Sequence, residues 1–135
     1  MLVPGRVDAS PDYLAWIGRH DADLFVSTVS IVEIRQGIAK LERLGSVQRA
    51  KTLLDWLETT IEVFHAHLLD VTVEVALAAG DLSDQAIAMG RHPGFADILI
   101  AATAKAHDLT LLTRNLRHFE PLGIAASGPL TDLPG

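Results

Sequence analysis

The sequence lacks cysteine, has few aromatic residues and contains no long uninterrupted apolar run. Without cysteine, disulfide bonds and thiolate metal sites are excluded, which is typical of proteins from a reducing compartment. No segment approaches the roughly 20 apolar residues that a membrane span requires, and no secretory signal is readable. Glycine-rich nucleotide loops and the Gly-x-Ser-x-Gly nucleophile motif are also absent from the sequence. We therefore expect a cytoplasmic protein that neither spans membranes nor binds dinucleotides.

The composition predicts one compact domain over residues 1–135 with an aliphatic core. Hydrophobic residues make up 49% of the chain and aromatic residues only 5%, so leucine, isoleucine, valine and alanine must fill the interior. The formal net charge of −6 opposes binding of nucleic acid through the surface as a whole. Any chemistry on nucleic acid would need a local basic patch or bound metal ions.

Strand and helix patterns alternate along the chain. Helical periodicity begins at Ser30, again after Ser46, after Asp70 as a helix cap, and near Phe95. Gly90 closes the third of these predicted helices, "RHPG" breaks the chain, and the fourth helix ends at about His107. Short apolar runs of strand length lie between these segments, at about residues 24–27, 66–69, 109–113 and 124–126. This alternation predicts an α/β fold in which a parallel sheet is flanked by helices.

Polar side chains stand where a parallel sheet of this kind would present a site. Glu33 follows the first readable strand, Asp97 opens a helix after the "RHPG" segment, and Asn115 follows the strand "LTLLT". Sites in open α/β sheets lie at the carboxyl ends of the strands. Two carboxylates and an amide oxygen gathered there would suit Mg²⁺ or Mn²⁺.

Each of these residues also has a purely structural interpretation. Ser30 and Glu33 have the spacing of a capping box, which satisfies helix-end donors without any function. Asp97 in a first helical turn is what the helix dipole favours, and Asn115 is a common turn residue. The sequence alone leaves both interpretations open.

Basic side chains are sparse near these acids. His118 could reach the same site as a phosphate contact, and Arg114 and Arg117 form a basic spot beside it, although charged turn residues are usually just solvated. His65 and His67 would share one face of a strand, but they lack the further ligands that zinc requires. For that pair we expect solvated surface.

Three segments, taken in order, resemble the PIN-domain family, and in particular the VapC-type ribonuclease toxins of bacterial toxin–antitoxin pairs. They are "VSTVSIVEIRQGI" around Glu33, "FADILIAATAKAHDLTLLTRN" around Asp97 and Asn115, and "FEPLGI". The resemblance covers most of the chain and implies a sandwich of helices around a parallel sheet. It also implies a Mg²⁺-dependent (or Mn²⁺-dependent) endoribonuclease that cleaves RNA, forms a homodimer and is inhibited by a small antitoxin protein.

The resemblance also implies roles for individual residues. Asp97 and Glu33 would be catalytic, acidic residues of the metal site, and Asn115 stands where the family carries Asn or Asp. Thr113 would support the same pocket, and with Arg114 and His118 it would contact the substrate.

One part of the family pattern has no counterpart in the sequence. Family members begin with a short apolar strand that ends in an Asp, whereas this chain begins "MLVPGRVDASPDYLAW", and neither Asp8 nor Asp12 has the right position. We therefore expect the first, central strand and its metal ligand to be missing, either because Met1 is internal to a longer frame or because the copy is degenerate. Without that strand the chain should bind metal poorly, cleave RNA weakly and self-associate.

Two alternatives to the enzyme remain at this point. The chain could be a binding module that engages an antitoxin or its own copy without catalysis. It could also be an unrelated α/β domain in which Glu33, Asp97 and Asn115 have only structural roles.

Overall fold

The computed structural model describes residues 2–3, 24–112, 119, 122–124 and 126–127. Its strands are β1 (Leu2–Val3), β2 (Phe25–Ser27), β3 (Leu68–Leu69), β4 (Leu111–Leu112) and β5 (Ala126–Ser127). They form a parallel sheet in the order β3-β2-β1-β4-β5. The helices are α1 (Thr28–Arg43), α2 (Val47–Val63), α3 (Val73–Ala88) and α4 (Phe95–Ala106). The predicted α/β class with a parallel sheet and flanking helices is confirmed.

The prediction that the central strand is missing is wrong. Leu2 and Val3 form β1, which pairs with Phe25 and Val26 of β2 on one side, and Leu2 pairs with Leu111 of β4 on the other. β1 thus fills the middle of the sheet and supplies partners for backbone groups that would otherwise be unpaired. The expected self-association through exposed central strands therefore loses its physical basis.

Helix α1 begins earlier than the sequence pattern suggested. Ser27 is its N-cap, with extended backbone, and its hydroxyl accepts a 3.1 Å hydrogen bond from the Val29 N–H. Ser30 is therefore the third residue inside the helix, and the capping-box interpretation of Ser30 and Glu33 is wrong. The last residue of β2 is itself the cap, so the chain passes from strand to helix without a loop.

Helix α3 is capped by Thr72 and not by Asp70. The Thr72 hydroxyl accepts a hydrogen bond of 3.2 Å from the Val75 N–H. Its other end closes as a Schellman motif: Gly90, at a φ of 73°, donates to Ile87 O, and Arg91 N–H donates to Ala86 O. The predicted end of this helix at Gly90 is confirmed.

Helices α1 and α2 pair through a small core of their own. Ile38 of α1 and Ala50 and Leu57 of α2 are buried in it. Partly buried apolar side chains surround these three at helical spacing, namely Ile31, Ile34, Leu41, Leu53, Leu54, Trp56 and Ile61. The turn between the helices runs through Gly45, whose φ of 86° is readily adopted only by glycine.

The main core lies where α3 and α4 pack on each other and on the sheet. Helix α4 is buried almost without interruption between Ile98 and Ala104, because it also contacts α1. Its small alanines allow this close approach on several sides. The buried hydroxyl of Thr103 donates to the Leu99 carbonyl at 2.8 Å, so it does not remain unsatisfied.

The two histidines of "HAH" lie in a 3₁₀ turn (His65–His67), not in a strand. His67 is half-buried: its Nδ1 lies 2.7 Å from the Leu24 carbonyl oxygen, and its ring stacks on Phe25 at a centroid distance of 4.4 Å. The expectation of a solvated pair holds for the exposed His65 and is wrong for His67. Across the ranges that the structure describes, no helix is long and apolar enough to cross a membrane.

Candidate active site

Asp97 lies in the first turn of α4, as the sequence predicts. Gly94 is the N-cap and Phe95 the first helical residue, so Asp97 is at the third position, where the helix dipole stabilises a carboxylate. The carboxylate lies close to the start of its own helix, because a Cβ placed on Gly94 would be 4.0 Å from Asp97 Oδ2. Since α4 is packed over most of its length, the half-buried Asp97 is fixed on a rigid element.

Glu33 lies in the second turn of α1, six residues beyond the cap at the end of β2, and is half-buried. One turn before it, Ser30 is fully buried, and its Oγ has no hydrogen-bond partner among the described residues. A buried hydroxyl without a partner is uncommon and destabilising. The start of α1 therefore places an acid and an unsatisfied hydroxyl close together.

The fold brings the helices that carry Glu33 and Asp97 into contact. Helix α1 packs against α4, and α1 begins at the carboxyl end of β2. Helix α4 leads into β4, which runs parallel to β1, so α4 starts towards the carboxyl edge of the sheet. Both acids are thus placed on the side of the sheet where α/β folds carry their sites.

The two carboxylates match the donor set of a hard divalent cation only in part. Their oxygens suit Mg²⁺ or Mn²⁺, which prefer carboxylate ligands and water. No group of three or more His, Asp or Glu side chains within the described ranges is arranged to hold a metal ion. The described residues therefore contribute at most two such side chains to a single metal site. The other predicted site residues, Thr113, Arg114, Asn115 and His118, lie outside the described residues.

A pocket of about 310 Å³ opens beside Asp97. Its described lining consists of Ala86, Arg91, His92, Pro93, Gly94, Asp97 and Leu122, so it lies between the end of α3 and the start of α4. Arg91 and His92 bring two basic side chains to the carboxylate. From the sequence, "RHPG" is expected only to break the chain between helices, and the basic site residues are expected after β4. The signal was present, because both residues precede Asp97 by no more than six positions.

Comparison with known proteins places this chain in a family. The PIN domain family matches residues 7–122, which include helices α1 to α4 and the pocket beside Asp97. The chain therefore belongs to the PIN-domain family, and the interpretation as an unrelated α/β domain is wrong.

Individual relatives include a protein named as a toxin and one named as a ribonuclease. The chain is 31% identical over 111 residues to Toxin FitB of Neisseria gonorrhoeae, covering 82% of this chain and 78% of that protein. It is 30% identical over 125 residues to VapC ribonuclease Y4jK of Sinorhizobium fredii, covering 90% and 87% respectively. A crystal structure of FitAcB from Neisseria gonorrhoeae superimposes with a TM-score of 0.81 at 26% identity, covering 96% of this chain and 98% of the matched chain. These similarities extend along most of each chain.

Proposed function

We propose that this protein is a Mg²⁺-dependent endoribonuclease toxin that cleaves RNA phosphodiester bonds and is neutralised by a cognate antitoxin. The observation that carries the proposal is the position of Asp97 and Glu33 on two helices in contact, near one edge of the sheet of a PIN-domain chain. One relative named as a toxin and another named as a VapC ribonuclease support the same assignment.

In this proposal Asp97 and Glu33 hold the metal, and Asn115 completes the catalytic set. A bound Mg²⁺ would activate water and stabilise the charge that develops on the phosphate. The protein contributes rigidity, since packed helices fix both carboxylates and limit the rearrangement that metal binding requires. Thr113, Arg114 and His118 follow β4 in the sequence and are assigned to the substrate.

A cleavage assay tests the enzymatic part. Purified protein is incubated with total RNA and with a defined single-stranded RNA, in MgCl₂, in MnCl₂ or in EDTA. We expect cleavage with the divalent cation only, and loss of at least about 100-fold in the Asp97→Asn and Glu33→Gln variants. The exposed Glu58 of α2 provides a matched control, because Glu58→Gln removes a carboxylate from a different helix. Cleavage that is equal in EDTA, or equal in all variants, would refute the proposal.

Metal binding has a readout that does not depend on turnover. A ligand that binds only the folded state raises its stability by RT ln(1 + [L]/Kd). Mg²⁺ should therefore raise the thermal midpoint of the wild-type protein and of Glu58→Gln, but not that of Asp97→Asn. An identical shift in all three proteins would place the ion elsewhere.

The proposal includes two protein partners, a small antitoxin and a second copy of the chain. Solved structures of FitAB and VapBC that share this fold, with TM-scores from 0.74 to 0.79, are described as bound to DNA. The FitAcB structure, at 26% identity, is similar along nearly the whole chain. Light scattering of the purified chain, alone and with the product of a neighbouring antitoxin gene, tests both partners. If the purified chain is a monomer, the proposed homodimer is wrong. If cleavage activity stays complete with excess antitoxin, the proposed inhibition is wrong.

A further inference from the structure

Arg91 and His92 form a basic pair in the loop between α3 and α4, and they line the pocket that contains Asp97. Both residues are exposed. Neither side chain makes a hydrogen bond or ion pair with any part of the chain that the structure describes. The only described ion pair joins Arg35 to Glu42 at 3.2 Å on the outer surface of α1.

The backbone at Arg91 is fixed although its side chain is not. Its N–H donates to the Ala86 carbonyl at 2.8 Å as the last bond of the Schellman motif, and Gly90 supplies the turn. His92 precedes Pro93, which restricts it to extended conformations. The loop thus presents both side chains from a constrained main chain, which lowers the entropy lost when they bind a ligand.

The charge of the pocket favours an anion next to a cation site. Asp97 is the acidic member of the described lining, and Arg91 offsets its charge at the pocket wall. A guanidinium beside an exposed imidazole is a donor set for phosphate oxygens. Elsewhere the net charge of −6 opposes a polyanion, so a local basic pair is what such a ligand requires.

We infer that Arg91 and His92 are substrate-positioning residues. They bind a backbone phosphate of single-stranded RNA, next to the phosphodiester bond that is cleaved at Asp97. This assignment rests on the proposed ribonuclease function and gives it a second contact with the substrate. A pocket of about 310 Å³ is at the small end of ligand sites, so it accommodates one nucleotide unit and not a folded helix.

The test separates binding from cleavage. The affinity of wild-type protein for a short labelled single-stranded RNA is measured by fluorescence anisotropy in EDTA, over a series of salt concentrations. Each phosphate contact contributes about 0.7 to the slope of log K against log salt for a single strand. We expect Arg91→Ala and His92→Ala to weaken binding several-fold, and Arg91→Ala to reduce that slope by about 0.7. Arg91→Lys should keep most of the slope because it keeps the charge.

Arg49 is the matched control. It is an exposed arginine on α2 outside the described pocket lining, so Arg49→Ala should leave affinity and slope unchanged. All the Arg91 variants retain the backbone N–H that closes α3, and equal thermal midpoints would verify that folding is intact. In the Mg²⁺ assay, Arg91→Ala should raise KM several-fold more than it lowers kcat.

Different failures have different meanings. If wild-type protein cleaves RNA and Arg91→Ala and His92→Ala match it in KM, affinity and salt slope, the inference is wrong and the proposed function stands. If wild-type protein binds RNA with the expected dependence on Arg91 but never cleaves it, the enzymatic proposal fails and the phosphate contact stands. If the variants lose antitoxin binding while RNA affinity is unchanged, the basic pair belongs to a protein interface and the inference is overturned.

Discussion

Ser27 and Ser30 are both fully buried at the start of α1, yet only the Ser27 hydroxyl has a hydrogen-bond partner within the described ranges. Ser27 accepts from the Val29 N–H and ends the strand as it begins the helix. Ser30, one turn further on, buries a hydroxyl that has no hydrogen-bond partner in the described part of the chain. The same side chain therefore stabilises the fold at one position and destabilises it at the other.

Alanine substitutions should separate the two serines. Ser27→Ala removes an N-cap and is expected to lower the free energy of unfolding by about 1 kcal/mol. Ser30→Ala removes an unsatisfied buried hydroxyl, so the free energy of unfolding should stay equal or rise by roughly 1 kcal/mol. Urea unfolding midpoints measure both changes. A loss of stability in Ser30→Ala comparable to that in Ser27→Ala would show that the Ser30 hydroxyl has a partner.

Gly80 and Gly90 should respond in opposite directions to the same substitution. A Cβ at either position meets no atom within 4 Å, so packing does not decide the outcome. Gly80 lies inside α3, where alanine should add about 0.5–1 kcal/mol of stability. Gly90 has a φ of 73°, so Gly90→Ala should cost about 1 kcal/mol or more. Thermal unfolding checks both, and destabilisation of Gly80→Ala would indicate that α3 needs a bare backbone there.

His67 joins the turn before β3 to the start of β2 through two interactions, its contact with the Leu24 carbonyl and its stacking on Phe25. His67→Ala should lose both and lower the free energy of unfolding by about 1–3 kcal/mol. His67→Phe keeps a ring that can stack and should recover part of that loss. The exposed neighbour serves as the control, since His65→Ala should stay within about 0.5 kcal/mol of wild type. Equal losses at both histidines would contradict this account.

Asp97→Asn tests the structural side of the carboxylate. In metal-free buffer of low ionic strength, removal of the charge from the first turn of α4 should cost about 0.3–1 kcal/mol, and added salt should shrink the difference. Chemical denaturation at low and high salt measures this. A gain in stability would mean that repulsion from a nearby acid such as Glu33 exceeds the attraction of the helix, which would itself support a shared metal site.

Local sequence signals were sufficient to predict helices whose bounds depend on residues near in sequence. Helix α4 was predicted within one residue of its bounds, and Gly90 marked the end of α3, because both depend on apolar periodicity and on a left-handed residue. Helix starts were less certain. Ser27 and Ser30, like Asp70 and Thr72, are neighbouring cap residues, and the choice between them depends on where the preceding strand leaves the sheet.

Long-range contacts were not visible in the sequence pattern. A strand of two residues has no periodicity, so β1 is defined only by its pairing with β2 and β4. The partner of His67 is a carbonyl 43 residues away, which no local motif predicts. For the site, Asp97 and Glu33 were expected on the correct elements. The nearness of Arg91 and His92 to Asp97 was visible in the sequence, but the pocket that all three line forms only once α3 and α4 have packed.

The position of β1 also constrains how the protein folds during its synthesis. Leu2 is synthesised well before its partner Leu111, which lies 109 residues further along the chain. The middle of the sheet can therefore close only after most of the chain has been translated, while the α1–α2 pair, whose contacts are local, can form much earlier. Assembly of the side of the sheet that carries Asp97 and Glu33 is thereby delayed until α4 and β4 have been synthesised.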